Sequence, residues 1–527
     1  MVFAITNEEN EGWQFVKRSV VLLLLISLLT GCLPVRNSPE PKPTRTPRMF
    51  LTITPLKDVQ VLKRDKRPNF LFILTDDLDL NLGTLQYMPH LHDLLTAQGL
   101  TLSNFFISHT LCCPSRSTFL RGQYTHNHHV YRNELPNGGF GQAYYLGNEA
   151  STIGTWLQAA GYRTVLLGKY LNAYPFPDDR TYVPVGWNEW YVGAKGNPYA
   201  GYNYSLNENG RLVDYNETGV SPSQYMTDVL SNKTADFIQR ANADGVPFFI
   251  YLATFAPHSP AKPAPRHANL FTDLIAPRTP SFNEADVSDK PDPIKFDPLL
   301  DDGAIAQIDA EYRDRVRSMQ AVDESIAQLV DVLKSTGQLD NTYIIFTSDN
   351  GYHLGQHRLS DGKGSPYEED IHVPFIIRGP GIAPGSTLDG YLTGNVDFAP
   401  TLADLAGVTP PSYVDGRSLV PLFSPNKPTL KDWRSGYLLE FYGYNPPGTD
   451  LNAPPPAPEF LGLRMQDSVY VEHNDGFVEY YDLKNDPYEL ENIAPKTDKA
   501  LLAHLSEWLH RLATCAGSQC REQDQDQ

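Results

Sequence analysis

Short apolar runs alternate with helix-period segments along most of this chain. The runs over 69–75 (NFLFILT), 163–167, 247–254 (PFFIYLAT) and 342–347 (TYIIFT) have strand length and predict buried strands. Between them, 88–98 carries Leu91, Leu94 and Leu95 on one side of a helix that Gly99 stops. Helical patterns follow over 152–160, stopped by Gly161, and over 224–243. The longest spans 312–336, with Met319, Val322, Ile326, Leu329 and Leu333 at helical spacing. Such alternation predicts an α/β sheet covered by helices on both faces. Toward the end the pattern changes. Short strands over 437–441, 461–465, 468–473 and 477–482 predict a small antiparallel sheet. Leu501, Leu502, Leu505, Leu509 and Leu512 mark a closing helix over 500–513.

The predicted strands end on polar residues: Asp76-Asp77, Lys169 after Gly168, His258 after Ala256-Pro257, and Asp349-Asn350. Open α/β sheets bind ligands outside the carboxyl ends of their strands, so these residues are expected at one edge. Each acidic pair alone suits a turn. Together Asp76, Asp77, Asp349 and Asn350 form a hard oxygen set suited to Ca²⁺ or Mg²⁺ rather than a thiol-loving metal, and adjacent carboxylates repel without a cation.

The chain has 62 acidic against 43 basic side chains, net −19, which argues against a nucleic-acid partner. It does not exclude a local basic pocket. Of the five cysteines, Cys515 and Cys520 are close enough in sequence to form one disulfide in an oxidising compartment, or to stay as thiols in the tail. Lys17-Arg18 followed by an apolar stretch over 20–29 reads as an export signal. Leu29-Thr30-Gly31-Cys32 resembles a bacterial lipobox, which predicts lipidation of Cys32 and a membrane anchor at the cell envelope; an ordinary signal cleaved nearby is the alternative. A start at Val16 would give a signal of ordinary form. The expected organisation is 1–32 signal, 33–67 Pro-rich tether, 68–415 main α/β domain, 416–514 smaller α+β domain and 515–527 tail. A ring-rich stretch, Trp187, Trp190, Tyr191, Tyr199, Tyr202 and Tyr204, reads either as hairpin and core packing or as a sugar platform.

One motif remains: Cys112-Cys113-Pro114-Ser115-Arg116, continuing to Leu120 and Gly122. Pro114 suits a first helical turn and Gly122 a helix stop, which puts Cys112 at a helix N-terminus favourable to anions. The pattern C-x-P-S-R-x-x-x-L-x-G resembles the signature of the type I sulfatases, in the alkaline phosphatase superfamily. Thr75-Asp76-Asp77, Ser348-Asp349-Asn350-Gly351, Lys363 with Tyr367-Glu368, and 481–489 also look like blocks of that family. Leu111-Cys112-Cys113, His126-Asn127-His128-His129, Gly168-Lys169-Tyr170-Leu171-Asn172 and Ala256-Pro257-His258 bring it nearest to the N-acetylglucosamine-6-sulfatase and heparan sulfatase branch.

The resemblance covers about 68–494 and implies an α/β fold with a mixed central sheet flanked by helices, plus a smaller C-terminal domain with an antiparallel sheet and a closing helix. It implies that a formylglycine-generating enzyme oxidises Cys112 before export. As its hydrate, formylglycine would ligate Ca²⁺ with Asp76, Asp77, Asp349 and Asn350 and attack sulfur. Its second hydroxyl would then expel sulfate. Arg116 would stabilise the hydrate, Lys169 and Lys363 would hold sulfate oxygens, and His258 would contact sulfate or protonate the leaving oxygen. The substrate implied is a sulfated carbohydrate. Many sulfatases place a histidine two residues after the catalytic lysine, where this chain has Leu171. His353, His126, His128 or His129 are the alternatives for that proton, and these four with Asn172 are candidates for substrate contact. The rival readings are a phosphoester or phosphonate hydrolase using the same oxidised cysteine, and a lipoprotein that binds sulfated glycans without cleaving them.

Overall fold

The computed structural model describes residues 65–215, 222–443 and 458–526. The signal, Cys32 and nearly all of the 33–67 tether lie outside these residues.

Residues of the strand-like runs pair into one ten-stranded sheet. In chain order the strands are β1 (Asn69–Asp76), β2 (Leu100–Leu102), β3 (Phe105–Phe106), β4 (Arg163–Gly168), β5 (Glu189–Gly196), β6 (Tyr204–Glu208), β7 (Arg211–Tyr215), β8 (Phe248–Pro257), β9 (Thr342–Ser348), β10 (Phe375–Arg378), β11 (Ser386–Leu388) and β12 (Thr393–Gly394). The large sheet runs β11-β2-β10-β9-β1-β8-β4-β5-β6-β7, while β3 pairs with β12 in a separate two-stranded sheet. Its centre, β9-β1-β8-β4-β5, is parallel; β10, β6 and β7 pair antiparallel.

The sheet is buried on both faces, which is why its central strands read as continuous apolar runs. Phe70, Phe72 and Leu74 pack with helices α1 (Cys112–Arg121), α2 (Ile153–Ala159) and α5 (Phe398–Leu405). Leu71 and Ile73 face α3 (Met226–Asp244) and α4 (Asp302–Ser335). Thr152 caps α2 through a reciprocal bond with Thr155. Helix α4 begins ten residues before the predicted start because Asp301 caps it and the intervening turns lie half on solvent. The 88–98 stretch is helical but mostly as a π turn, His92–Thr96.

The second sheet is β13 (Gly436–Tyr442), β14 (Pro458–Met465), β15 (Ser468–His473) and β16 (Val478–Asp482), antiparallel throughout, with α6 (Lys499–Leu512) against it. Its Tyr437 and Leu439 share a core with Phe106, Tyr124, Tyr367 and Ile371 of the larger body. Cys515 and Cys520 are bonded as a disulfide. A buried ion network ties this region down: Arg434 donates to both Asp397 oxygens at 2.7 and 2.8 Å and to Asp524 at 2.7 Å. Removing Arg434 leaves two buried carboxylates short of their counter-ion. Arg434→Ala is therefore expected to destabilise by about 3–5 kcal/mol, read from the urea midpoint; an unmoved midpoint would contradict the role.

Candidate active site

The register of the parallel strands decides where their polar ends fall. Thr75 pairs with Ser348, Asp76 with Pro257, and Gly168 with Ala253. Asp76-Asp77, Asp349-Asn350, His258 and Lys169 therefore emerge at one edge of the sheet, as the sequence predicts. Two backbone features aim them. Asp77 takes a left-handed conformation, φ 68°, where Asp is among the few tolerated residues. Gly168 has φ 99°, and a Cβ there would lie 1.8 Å from the Ala253 carbonyl oxygen, so only glycine fits beside β8.

Cys112 enters from the other side as the first residue of α1, whose Cys113 N–H is capped by Asn133 Oδ1 at 2.9 Å. Its Sγ stands 3.6 Å from Asp76 Oδ1 and 3.9 Å from Asp77 Oδ1. Lys363 Nζ is 2.8 Å from that sulfur and also bonds Asp77 Oδ1. Lys169 Nζ donates to Asp76 Oδ2 at 2.7 Å. Arg116, one turn along α1, donates from Nε to Asp349 Oδ2 at 2.7 Å and from Nη1 to the Lys169 carbonyl at 2.9 Å. His258 Nε2 lies 3.6 Å from Asp77 Oδ2. Asn350 Nδ2 donates to Asp77 Oδ1 at 2.7 Å.

Three fully buried carboxylates thus face Arg116, Lys169 and Lys363. Burial pushes Asp76 up, but Lys169, His258, Arg116 and Lys363 outweigh it and hold that carboxyl below the usual range. Burial, then the Asp76 carboxylate, raises Asp349. Burial pushes the Cys112 thiol up to about 12.

The residues fit a hard divalent cation. Carboxylate oxygens of Asp76 and Asp77, Cys112 Sγ and a His258 nitrogen lie within 4.8 Å of one another. Asn350 Oδ1 is buried with no hydrogen-bond partner, and an unsatisfied amide oxygen beside carboxylates suits Ca²⁺ or Mg²⁺.

The histidine alternatives have other partners. His126 is held by Glu440 Oε2 at 2.8 Å and the Cys515 carbonyl at 2.9 Å. His128 is buried on Thr118 Oγ1 at 3.1 Å, and His129 bonds the Tyr131 hydroxyl at 2.7 Å. These bonds anchor the chain after α1 and the C-terminal tail. His353 Nδ1 meets Asp370 at 3.0 Å, while its backbone pairs with Gly362. Asp370 Oδ2 in turn accepts from Ser365 N at 2.8 Å and Ser365 Oγ at 2.7 Å. His353 and Asp370 thereby clamp both ends of the loop that carries Lys363, a positioning role. Asn172 lines a cavity beside Lys169.

Half of the ring-rich stretch is core: Trp190, Trp187 and Tyr204 are buried in the sheet packing, which for these three favours the packing reading over the platform; Tyr191 and Tyr202 are partly buried against the cores. Tyr199, also partly buried, faces the site. Its ring lies under Lys169 Nζ, 5.3 Å from the centroid, and 4.5 Å from the His258 ring. Sequence reasoning missed Arg315, which donates to the Asp77 carbonyl and, at 3.3 Å, to the Pro257 carbonyl. The signal was legible: Arg315 lies on the same face of α4 as Tyr312, Met319 and Val322.

Comparison with known proteins agrees with this geometry. The sulfatase family profile matches residues 68–408, and that of the N-sulphoglucosamine sulphohydrolase C-terminal region matches 355–514. Human N-acetylglucosamine-6-sulfatase is 35% identical over 92% of this chain and 92% of its own. A putative extracellular sulfatase Sulf-1 homolog of Caenorhabditis elegans is 40% identical over 74% of this chain, which spans 55% of that relative's length. A solved structure of a protein with its substrate D-glucosamine-2-N,6-O-disulfate superposes with a TM-score of 0.67 at 27% identity, covering 87% of this chain and 98% of that one. The chain belongs to the sulfatase family, enzymes that hydrolyse sulfuric esters.

Proposed function

We propose that this sulfatase releases sulfate from a sulfated amino sugar of the glycosaminoglycan type, with residue 112, oxidised to formylglycine, as the attacking group. The observation that carries the reading is the convergence of Cys112, Lys363, Lys169 and three buried carboxylates at one sheet edge. In this reading Cys112 Sγ marks where the oxygens of the hydrated aldehyde stand. The names of the human relative and of the ligand in the superposed structure support a 6-sulfated glucosamine.

Asp76, Asp77, Asp349 and Asn350 would hold the cation, Ca²⁺ in preference to Mg²⁺. When bound it supplies Lewis-acid polarisation at the reacting oxygens. The chain's own groups do the rest. Lys363 lies against the attacking group and stabilises negative charge on it, and Lys169 holds a sulfate oxygen. Arg116 fixes Asp349 and stands behind the nucleophile. His258, at the open side of the cluster, is placed to protonate the leaving sugar oxygen. Its Nδ1 donates to the Ser259 carbonyl at 2.7 Å, so Nδ1 keeps its proton and the one given to the leaving oxygen comes from Nε2 of the imidazolium, the nitrogen that faces the site.

Export fits the signal-like segment at 20–29 and the extracellular name of the nematode relative. Lipid anchorage at Cys32 rests on the lipobox resemblance alone, and N-terminal mass mapping tests it. Among the described residues no helix is long and apolar enough to cross a membrane.

The test of function is turnover by protein co-expressed with a formylglycine-generating enzyme. N-acetylglucosamine 6-sulfate should release sulfate faster than matched phosphate or phosphonate monoesters are cleaved. The reverse order would assign the chain to phosphoester or phosphonate chemistry.

A further inference from the structure

Beside Lys169 the sheet edge opens into a cavity of about 440 Å³, a volume suited to a sugar. Tyr199, Phe255 and Tyr174 form its apolar walls. Its charged lining is Lys169, Arg180 and Lys195, with no acidic side chain among the described residues. That is unexpected by chance in a chain whose acidic groups outnumber its basic ones 62 to 43.

The three cations differ in how they are satisfied. Lys169 is paired with Asp76. Arg180 donates to the Ala194 carbonyl at 2.7 Å, which pins its guanidinium to β5 next to Lys195. Among the described residues neither Arg180 nor Lys195 has a carboxylate partner. The register places them relative to the reacting end. Gly168 pairs with Val192, so β5 carries Lys195 three residues, about 10 Å of strand, past the level of Gly168. A sugar whose ester group reaches Lys169 then lies along the cavity toward Lys195.

We propose that Arg180 and Lys195 form a second anionic subsite, which takes a sulfate or carboxylate borne by the sugar, or by its neighbour, across from the scissile ester. The proposal rests on the sulfatase reading above and adds a selectivity for doubly anionic substrates. The subsite contributes electrostatic binding outside the chemical step, so it acts on KM and leaves kcat unchanged.

The test compares Lys195→Gln, Arg180→Gln and the double variant with the parent on three probes. These are glucosamine 2-N,6-O-disulfate, a uronate-linked disaccharide 6-sulfate and N-acetylglucosamine 6-sulfate. Each single variant is expected to raise KM about fivefold for at least one doubly anionic probe, with kcat unchanged and the singly sulfated sugar within twofold. Whichever doubly anionic probe loses affinity identifies the group as sulfate or carboxylate. Equal losses on all three probes, or none, would overturn the subsite. A binding arm separates its failure from that of the parent reading. In Cys112→Ala protein, glucosamine 2-N-sulfate, which lacks the 6-ester, is titrated calorimetrically with a uronate monosaccharide alongside. Binding of one of them that Lys195→Gln weakens supports the subsite even if no ester is turned over. Binding of both that the substitution leaves unchanged, or binding of neither, counts against it.

Discussion

Replacing Cys112 by alanine is expected to lower sulfate release by about four orders of magnitude or more, the loss typical of deleting a covalent nucleophile. The fold should survive, since the side chain removed is small, Asp76 keeps its bond from Lys169, and Asp77 keeps those from Lys363 and Asn350. Cys112→Ser is the sharper variant. It keeps the size and a hydroxyl at the position of Sγ, 2.8 Å from Lys363. If attack needed only an oxygen there, serine would work. Repeated turnover requires the aldehyde level, because a sulfate ester on a simple hydroxyl has no second hydroxyl to expel it. Serine is therefore expected to be as inactive over repeated turnover as alanine. Full activity in either variant, measured as released sulfate on co-modified protein, would refute the nucleophile.

Removing the cation is expected to have the next largest effect. After exhaustive dialysis against chelator, activity should fall by about 10²–10³-fold, the order attached to losing a principal source of charge stabilisation, and added Ca²⁺ should restore it. In Asp349→Asn the same addition should fail. Asp349 is fully buried, takes Nε of Arg116 at 2.7 Å and accepts the Asp77 N–H at 3.1 Å. Loss of its charge thus weakens the cation set and leaves Arg116 short of its strongest partner. Circular dichroism on the same samples separates this from unfolding. An unchanged rate in metal-free protein would take Asp76, Asp77, Asp349 and Asn350 out of the mechanism.

Much of this arrangement can be read from the letters, because the central strands are buried on both faces. Their apolar runs are continuous, and the chemistry begins where each run stops. Asp76, Lys169, His258 and Asp349 are located that way before any register is known. What the letters hide is partnership. His126 and His128 look like site residues because they follow the nucleophile motif closely, yet their ring nitrogens are used by Glu440 and Thr118. Nothing local announces Glu440, 314 residues away. Trp190 and Tyr204 look like a sugar platform for a similar reason. The pairing of β5 with β6 is interrupted by a bulge, so their alternation is hard to see and their burial harder. Arg315 was visible, as a charge on the apolar stripe of α4, but its target carbonyls lie on β8 and after β1. The positioning role of His353 likewise depends on Asp370 and on a bridge to Gly362 that only the folded loop creates.

All of this converges on the chemical state of one side chain. Peptide mass spectrometry across residue 112, on active protein purified after co-expression with the modifying enzyme, tests it most directly. The expected peptide has –CH₂SH replaced by –CHO, trapped as a hydrazone by a hydrazine reagent, in proportion to specific activity. Fully active protein carrying an unaltered thiol there would contradict it.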